Sequence, residues 1–163
     1  MIKNLMKFPI LKRLIPSIGI RALKLLNKNR GYFNINGTEM YLDFLDPLDR
    51  KLILNKSYEI EETKILLDLV GKYYSEYFID IGANSGYLSF FFANKFKNLK
   101  VTAFEPNKDA YRKFKKTLIK NSFKNIQVYN FGLSSVEGKR KMKTLCKHGV
   151  AQTNSIISND SND

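Results

Sequence analysis

Cysteine and histidine each occur once in this 163-residue chain, as Cys146 and His148. A single cysteine excludes a disulfide framework and any thiolate-rich metal site. A single histidine leaves too few nitrogen ligands for a self-contained zinc site, so no metal centre is expected. No stretch approaches the roughly 18 uncharged apolar residues that a membrane-spanning helix needs. A cytoplasmic location is the corresponding expectation. Internal repeats are also absent, which removes the solenoid and propeller architectures. What remains is a chain of 18.9 kDa with 44% hydrophobic and 26% charged residues. That composition belongs to a globular domain.

Acids are scarce, and unevenly so. The net charge is +13. Residues 1–30 hold eight basic residues and no acid, residues 38–80 hold ten acids against five bases, and residues 95–147 hold fifteen bases against three acids. Such an excess raises the question of a nucleic-acid partner. Lysine supplies most of it, 22 against 6 arginines, and there are 16 asparagines. Arginine is the residue of bidentate base and phosphate recognition, so the expectation is a solvated lysine surface without a specific nucleic-acid partner.

Hydrophobic periodicity divides the chain. Residues 1–30 read as a basic amphipathic helical segment, shortened by Pro9 and Pro16. Peripheral membrane contact is its functional reading, and packing on the domain is the favoured one. Residues 31–76 form a lead-in. Asn36-Gly37 between two alternating runs predicts a hairpin. Asp46-Pro47 marks a turn, and residues 59–70 read as a helix with an acidic first turn, closed by Gly71. From residue 77 the pattern becomes strand (77–81), helix (87–97), strand (100–105), helix (107–121) and strand (126–130). That alternation implies parallel pairing through right-handed crossovers, an open α/β sheet of Rossmann-like type. Lys139–Leu145 reads as an edge strand. The core unit is taken as residues 77–150 and a polar, fraying tail as residues 151–163.

The segment Phe78-Ile-Asp-Ile-Gly-Ala-Asn-Ser-Gly86 carries the chemistry. Gly82 lets the chain turn sharply after a buried strand, and Gly86 lets a ligand approach backbone near a helix N-terminus. Ligands of open α/β sheets bind here, beyond the carboxyl ends of the strands. A dinucleotide fingerprint requires glycine where Asn84 stands, and a P-loop requires Gly-Lys-Ser/Thr where Gly86 is followed by Tyr87. Asp80 precedes the first glycine, and a carboxylate there repels phosphate while favouring a cationic end. Glu105 ends the next strand, where it can accept both hydroxyls of a ribose. Two acids and a glycine turn without a phosphate cradle favour S-adenosylmethionine.

Asp80-Ile-Gly-Ala-Asn-Ser-Gly-Tyr87, Ala103-Phe-Glu-Pro-Asn107 and Asn130-Phe-Gly-Leu-Ser-Ser, with Glu137-Gly138, resemble successive motifs of the FkbM methyltransferases. Leu42-Asp43, Asp46-Pro47, Asp49 and Tyr58-Glu59 with Glu62-Thr63 are similar to that family's lead-in. The resemblance spans roughly residues 37–157. It implies a class I methyltransferase fold and O-methylation of a hydroxyl on a sugar, glycan or secondary metabolite. It places Asp80, Gly82, Asn84 and Gly86 on the methionine-side loop, Glu105 on the ribose, and Asn130 near the adenine.

The family pattern continues into a fourth strand with an Ile-Asp-x-Glu-Gly signature, which these residues lack. The expectation is therefore an incomplete fold, the 3-2-1 half of the sheet, and a truncated or fragmentary enzyme. One edge of the strand bearing Asp80 would stay unpaired, which makes self-association plausible. No catalytic base is identified. His148 and Glu59 are candidates for taking the hydroxyl proton, and Cys146 lacks a partner for nucleophilic work. A nucleic-acid amino-methylating enzyme is the rival reading, and its Asn/Asp-Pro-Pro-Tyr-like motif is absent.

Overall fold

The computed structural model describes residues 29–135, 138, 141–147 and 150–157. The basic segment 1–30 lies outside them except for Asn29 and Arg30, as does His148.

The lead-in begins with a hairpin, β1 (Arg30–Ile35) and β2 (Thr38–Asp43), paired antiparallel from Arg30 opposite Asp43 to Ile35 opposite Thr38. Asn36 (φ 50) and Gly37 (φ 86) make the connection. Both torsions are left-handed, as a two-residue turn matched to strand twist requires. The inner face buries Ile35, Met40 and Leu42.

Asp46-Pro47 does more than turn the chain: it starts α1 (Pro47–Asn55). The Asp46 side chain accepts from the N–H groups of Leu48 (2.9 Å) and Asp49 (3.4 Å), and Pro47 occupies the first helical position, where a missing N–H costs nothing. A second helix, α2, spans Ile60–Lys72. It runs through Gly71 and closes at Tyr73, whose N–H reaches the Leu69 carbonyl, so glycine is not its terminator.

Three parallel strands follow, β3 (Tyr77–Ile81), β4 (Lys100–Phe104) and β5 (Ile126–Tyr129), in the order β3-β4-β5. They are linked by α3 (Tyr87–Lys95) and α4 (Lys108–Asn121). This is the expected 3-2-1 half of a Rossmann-like sheet. With β3, β4 and β5 added in one direction, right-handed crossovers put both helices on one face. Phe78, Asp80, Val101, Ala103 and Ile126 point toward them, and Phe90, Phe92 and Phe114 fill the space between at no more than 1% exposure. Phe78 stacks on Phe92 with ring centroids 4.6 Å apart, and Phe90 lies 4.6 Å from Phe114. On the opposite face Tyr77, Ile79, Ile81 and Tyr129 are exposed.

Helix α4 ties the lead-in to the sheet. Its buried residues are Ala110, Lys113, Phe114 and Thr117, a stripe at helical spacing. Thr117 Oγ1 accepts the Tyr41 N–H (2.8 Å) and Asn121 Oδ1 accepts the Glu39 N–H (3.0 Å), so helix side chains satisfy the outer edge of β2. Lys113 Nζ lies 2.6 Å from Asp49 and 3.1 Å from Asp46. Burial disfavours the Lys113 charge, but the two carboxylates outweigh it and hold the lysine above its ordinary value.

Two further strands, β6 (Lys141–Lys147) and β7 (Val150–Ile157), pair antiparallel as a separate hairpin. The expected edge strand is therefore not added to the three-stranded sheet. The expected fraying tail contains β7, which crosses the 150/151 boundary. The segment from Gln152 carries Thr153, Ile156 and Ile157, residues that suit a strand.

Candidate cofactor site

The site lies beyond the carboxyl ends of β3 and β4. After Ile81 the chain turns at Gly82 (φ 79), whose N–H and that of Ala83 both donate to the Phe104 carbonyl, at 2.8 and 3.1 Å. The turn is thus pinned to the end of the neighbouring strand. Nothing stands within 4 Å of the place a Gly82 Cβ would occupy, so a ligand can reach this backbone. Asn84 is also left-handed (φ 49).

Gly86 has a different reason to be glycine. Its φ is 91, and a Cβ there would lie 2.6 Å from ring atoms of both Phe90 and Phe114. The expected role of admitting a ligand is replaced by one of packing: Gly86 is buried and lets α3 sit on the aromatic core.

Asp80 is 9% exposed and accepts from Ser89 Oγ at 2.6 Å. Burial pushes its carboxyl above the ordinary value, with the Ser89 hydroxyl and N–H opposing and the charge of Glu59 adding. One carboxylate thus braces α3 and presents negative potential to the turn. Glu105 is 4% exposed, which excludes a solvated acid before Pro106. Its Oε2 accepts the Asn84 N–H and its Oε1 the Asn107 N–H, both at 2.7 Å. Burial raises its carboxyl as well, against those two amides. Each oxygen keeps a second lone-pair direction for a hydroxyl. Asn130 is drawn to the same place but spent on backbone: its amide donates to the carbonyls of Glu105 (2.8 Å) and Pro106 (3.2 Å).

A cavity of about 190 Å³ opens beside the turn. Asp80, Gly82 and Asn84 line it, while Gly86, Glu105 and Asn130 do not. Its other wall comes from the lead-in: Leu48 and Leu52 of α1, then Tyr58 and Glu59, with Tyr87 opening α3. The α1 wall was missed in the sequence, although an Asp-Pro pair before a helical run was the available signal. Glu59 is left-handed (φ 48) without a capping hydrogen bond of its side chain. Tyr58 and Tyr87 stand with Glu59 on this wall of the cavity. Burial, first, and then the nearby carboxylates raise the Tyr58 phenol. The pocket thus combines two carboxylates and two phenols with an exposed turn of backbone. Among the described residues no three His, Cys, Asp or Glu side chains are grouped to hold a metal ion.

Residues 61–146, from α2 to β6, match the model of the methyltransferase small domain. The chain belongs to the methyltransferase small domain family. The matched span takes in the whole β3–β5 unit of this methyltransferase domain. Among solved structures, the domain is similar to a candidate transferase of Pyrococcus horikoshii with a TM-score of 0.51 and 16% identity. The match covers 77% of this chain and 50% of that one, so the present chain spans half the length of that protein. At this identity the likeness shows the fold, a partial Rossmann-like sheet. No curated protein matches the chain. No helix among the described residues of the methyltransferase domain is long and apolar enough to cross a membrane.

Proposed function

We propose that the chain is a cytoplasmic S-adenosylmethionine-dependent methyltransferase of FkbM type, directing a methyl group to a hydroxyl of a sugar, glycan or other small molecule. The observation that carries the reading is the Gly82 turn, where open space over a left-handed backbone meets the buried Asp80 carboxylate. Those features fit the methionine end of the cofactor. Glu105 fits its ribose through the lone pairs that the Asn84 and Asn107 amides leave free.

S-adenosylmethionine supplies a methyl group already activated on a sulfonium. The residues of this chain then have three tasks. Asp80 and Glu59 favour a cationic end in the pocket. Glu105 holds the β3–α3 and β4–α4 turns in fixed relation, so that alignment is set in advance. Glu59, exposed at the pocket wall beside Tyr58, is placed to take the proton of an acceptor hydroxyl.

Calorimetric titration with S-adenosylmethionine tests the site. Wild type is expected to bind, and Asp80→Ala and Glu105→Ala to weaken binding at least tenfold. An absence of binding heat in wild type would overturn the enzyme reading, and full binding by both variants would overturn the site assignment. Binding without turnover on any hydroxyl acceptor would leave a cofactor-binding module in place of an enzyme.

A further inference from the structure

None of the described basic residues in the block at 95–147 lines the pocket just described. In the folded chain much of it condenses on α4. Lys108, Arg112, Lys116 and Lys120 follow one another at four-residue intervals, and all four are exposed. That spacing sets a cation about every 6 Å along a single ridge. The ridge runs beside the outer face of the β1–β2 hairpin, where Tyr32 and Tyr41 meet edge to face at 5.1 Å. Lys116 Nζ stands 4.0 Å from the Tyr41 ring centroid and Lys120 Nζ 5.6 Å from that of Tyr32. Arg30, Tyr41, Arg112 and Lys116 border a groove of about 460 Å³. The nearest carboxylates offset the ridge only in part: Arg30 engages both Asp43 (2.8 Å) and Asp109 (3.0 Å), which leaves one of their two negative charges, with Asp109 on the groove wall, against the four cations. Glu39, at the hairpin tip, accepts from Asn34 (3.0 Å).

From this juxtaposition of a four-cation ridge and two tyrosines we infer that α4 and the hairpin form a sequence-independent binding surface for single-stranded nucleic acid. A line of cations tracks a phosphodiester backbone, and neighbouring aromatic rings offer platforms to bases. The surface needs no base-specific contact. A lipid surface fits less well: the apolar stripe of α4 is buried against the core, and an interfacial helix must present such a stripe to the bilayer. The inference does not depend on methyl transfer.

Fluorescence anisotropy with a labelled oligouridylate of about twelve nucleotides tests it on the full chain. Four neutralised phosphates should give a plot of log K against log salt with a slope near −3, at about −0.7 per contact. The triple variant R112A/K116A/K120A is expected to bind at least tenfold more weakly and to lose about 2 of that slope. A second triple variant, K72A/K97A/K100A, removes equal charge from exposed lysines that line no cavity with the hairpin or α4 and should leave the slope unchanged. Tyr32→Ala should weaken affinity several-fold at constant slope, since stacking carries no charge. Circular dichroism melting checks that each variant folds. Equal slope changes for the two triples would overturn the inference, as would binding that the α4 triple leaves intact. Displacement by phosphatidylserine vesicles or polyglutamate at matched charge, indifferent to Tyr32→Ala, would overturn it also.

Discussion

Two glycines with similar left-handed torsions, Gly82 (φ 79) and Gly86 (φ 91), stand only four residues apart in sequence and separate binding from stability. Gly86→Ala forces a Cβ into Phe90 and Phe114 and adds the left-handed penalty. It should cost about 2–4 kcal/mol of unfolding free energy, measured in urea. Gly82→Ala meets no neighbour, so only the backbone penalty of about 1–2 kcal/mol applies. Its Cβ enters the space over the turn, and S-adenosylmethionine affinity should fall further than stability does. Asp80 makes the same division through pH. Burial raises its folded value above the ordinary 3.8, so the folded state holds the proton more tightly than the unfolded one. The resulting stability is present below the unfolded value and lost as pH rises through the folded one. Asp80→Asn should therefore melt at or above wild type at neutral pH, with the difference vanishing toward acid, while cofactor binding is lost. Asp43 runs the other way. Burial opposes it, but Asn29, the Leu45 N–H and Arg30 bring its folded value below 3.8. Asp43→Asn should cost stability at neutral pH and converge with wild type as acid titrates the native carboxylate.

Among the elements, α1 and α4 are joined by one buried cation. Asp49 and Lys113 are 1% and 3% exposed, and burial together with the Asp46 charge pushes Asp49 upward while Lys113 opposes. Lys113→Met removes the cation and leaves the acids facing a closed interior. The expected loss is about 3–5 kcal/mol by urea unfolding, the range for breaking a buried pair. This pair also shows where sequence reading stops. The strands and helices of residues 77–130 were legible because their apolar periods are regular and Gly82 and Asn107 punctuate them. The hairpin was legible from Asn36-Gly37. A lysine on the buried stripe of α4 is invisible as such, since its partners lie 64 residues or more away in sequence. The same distance effect hid the pocket wall: Leu48 and Leu52 meet the Gly82 turn only through folding. Gly86 was recognised as special, but its reason, two phenylalanine rings, comes from the tertiary core.

At the scale of the whole molecule, the described residues give the three-stranded sheet one covered face and one bare one. Both α3 and α4 cover the same side of the sheet, and the other side exposes Ile79 at 63% and Ile81 at 66% on a strand whose outer edge is unpaired among the described residues. Such an edge is a template for pairing with another chain. Sedimentation should show a weight-average mass that climbs with concentration. Ile79→Lys, which puts a charge on the face without touching the helices, should hold the chain at monomer mass. A mass independent of concentration in wild type would rule out this association.

That bare side of the sheet also shapes how the protein responds to denaturant. Sensitivity to urea scales with the surface newly wetted on unfolding. Tyr77, Ile79, Ile81 and Tyr129 are wet before unfolding begins. The urea slope of the monomer should therefore be shallower than its length suggests, and it should steepen when another surface covers that side. The steepness of a melting curve thereby becomes a gauge of whether this half-sheet stands alone or has been completed.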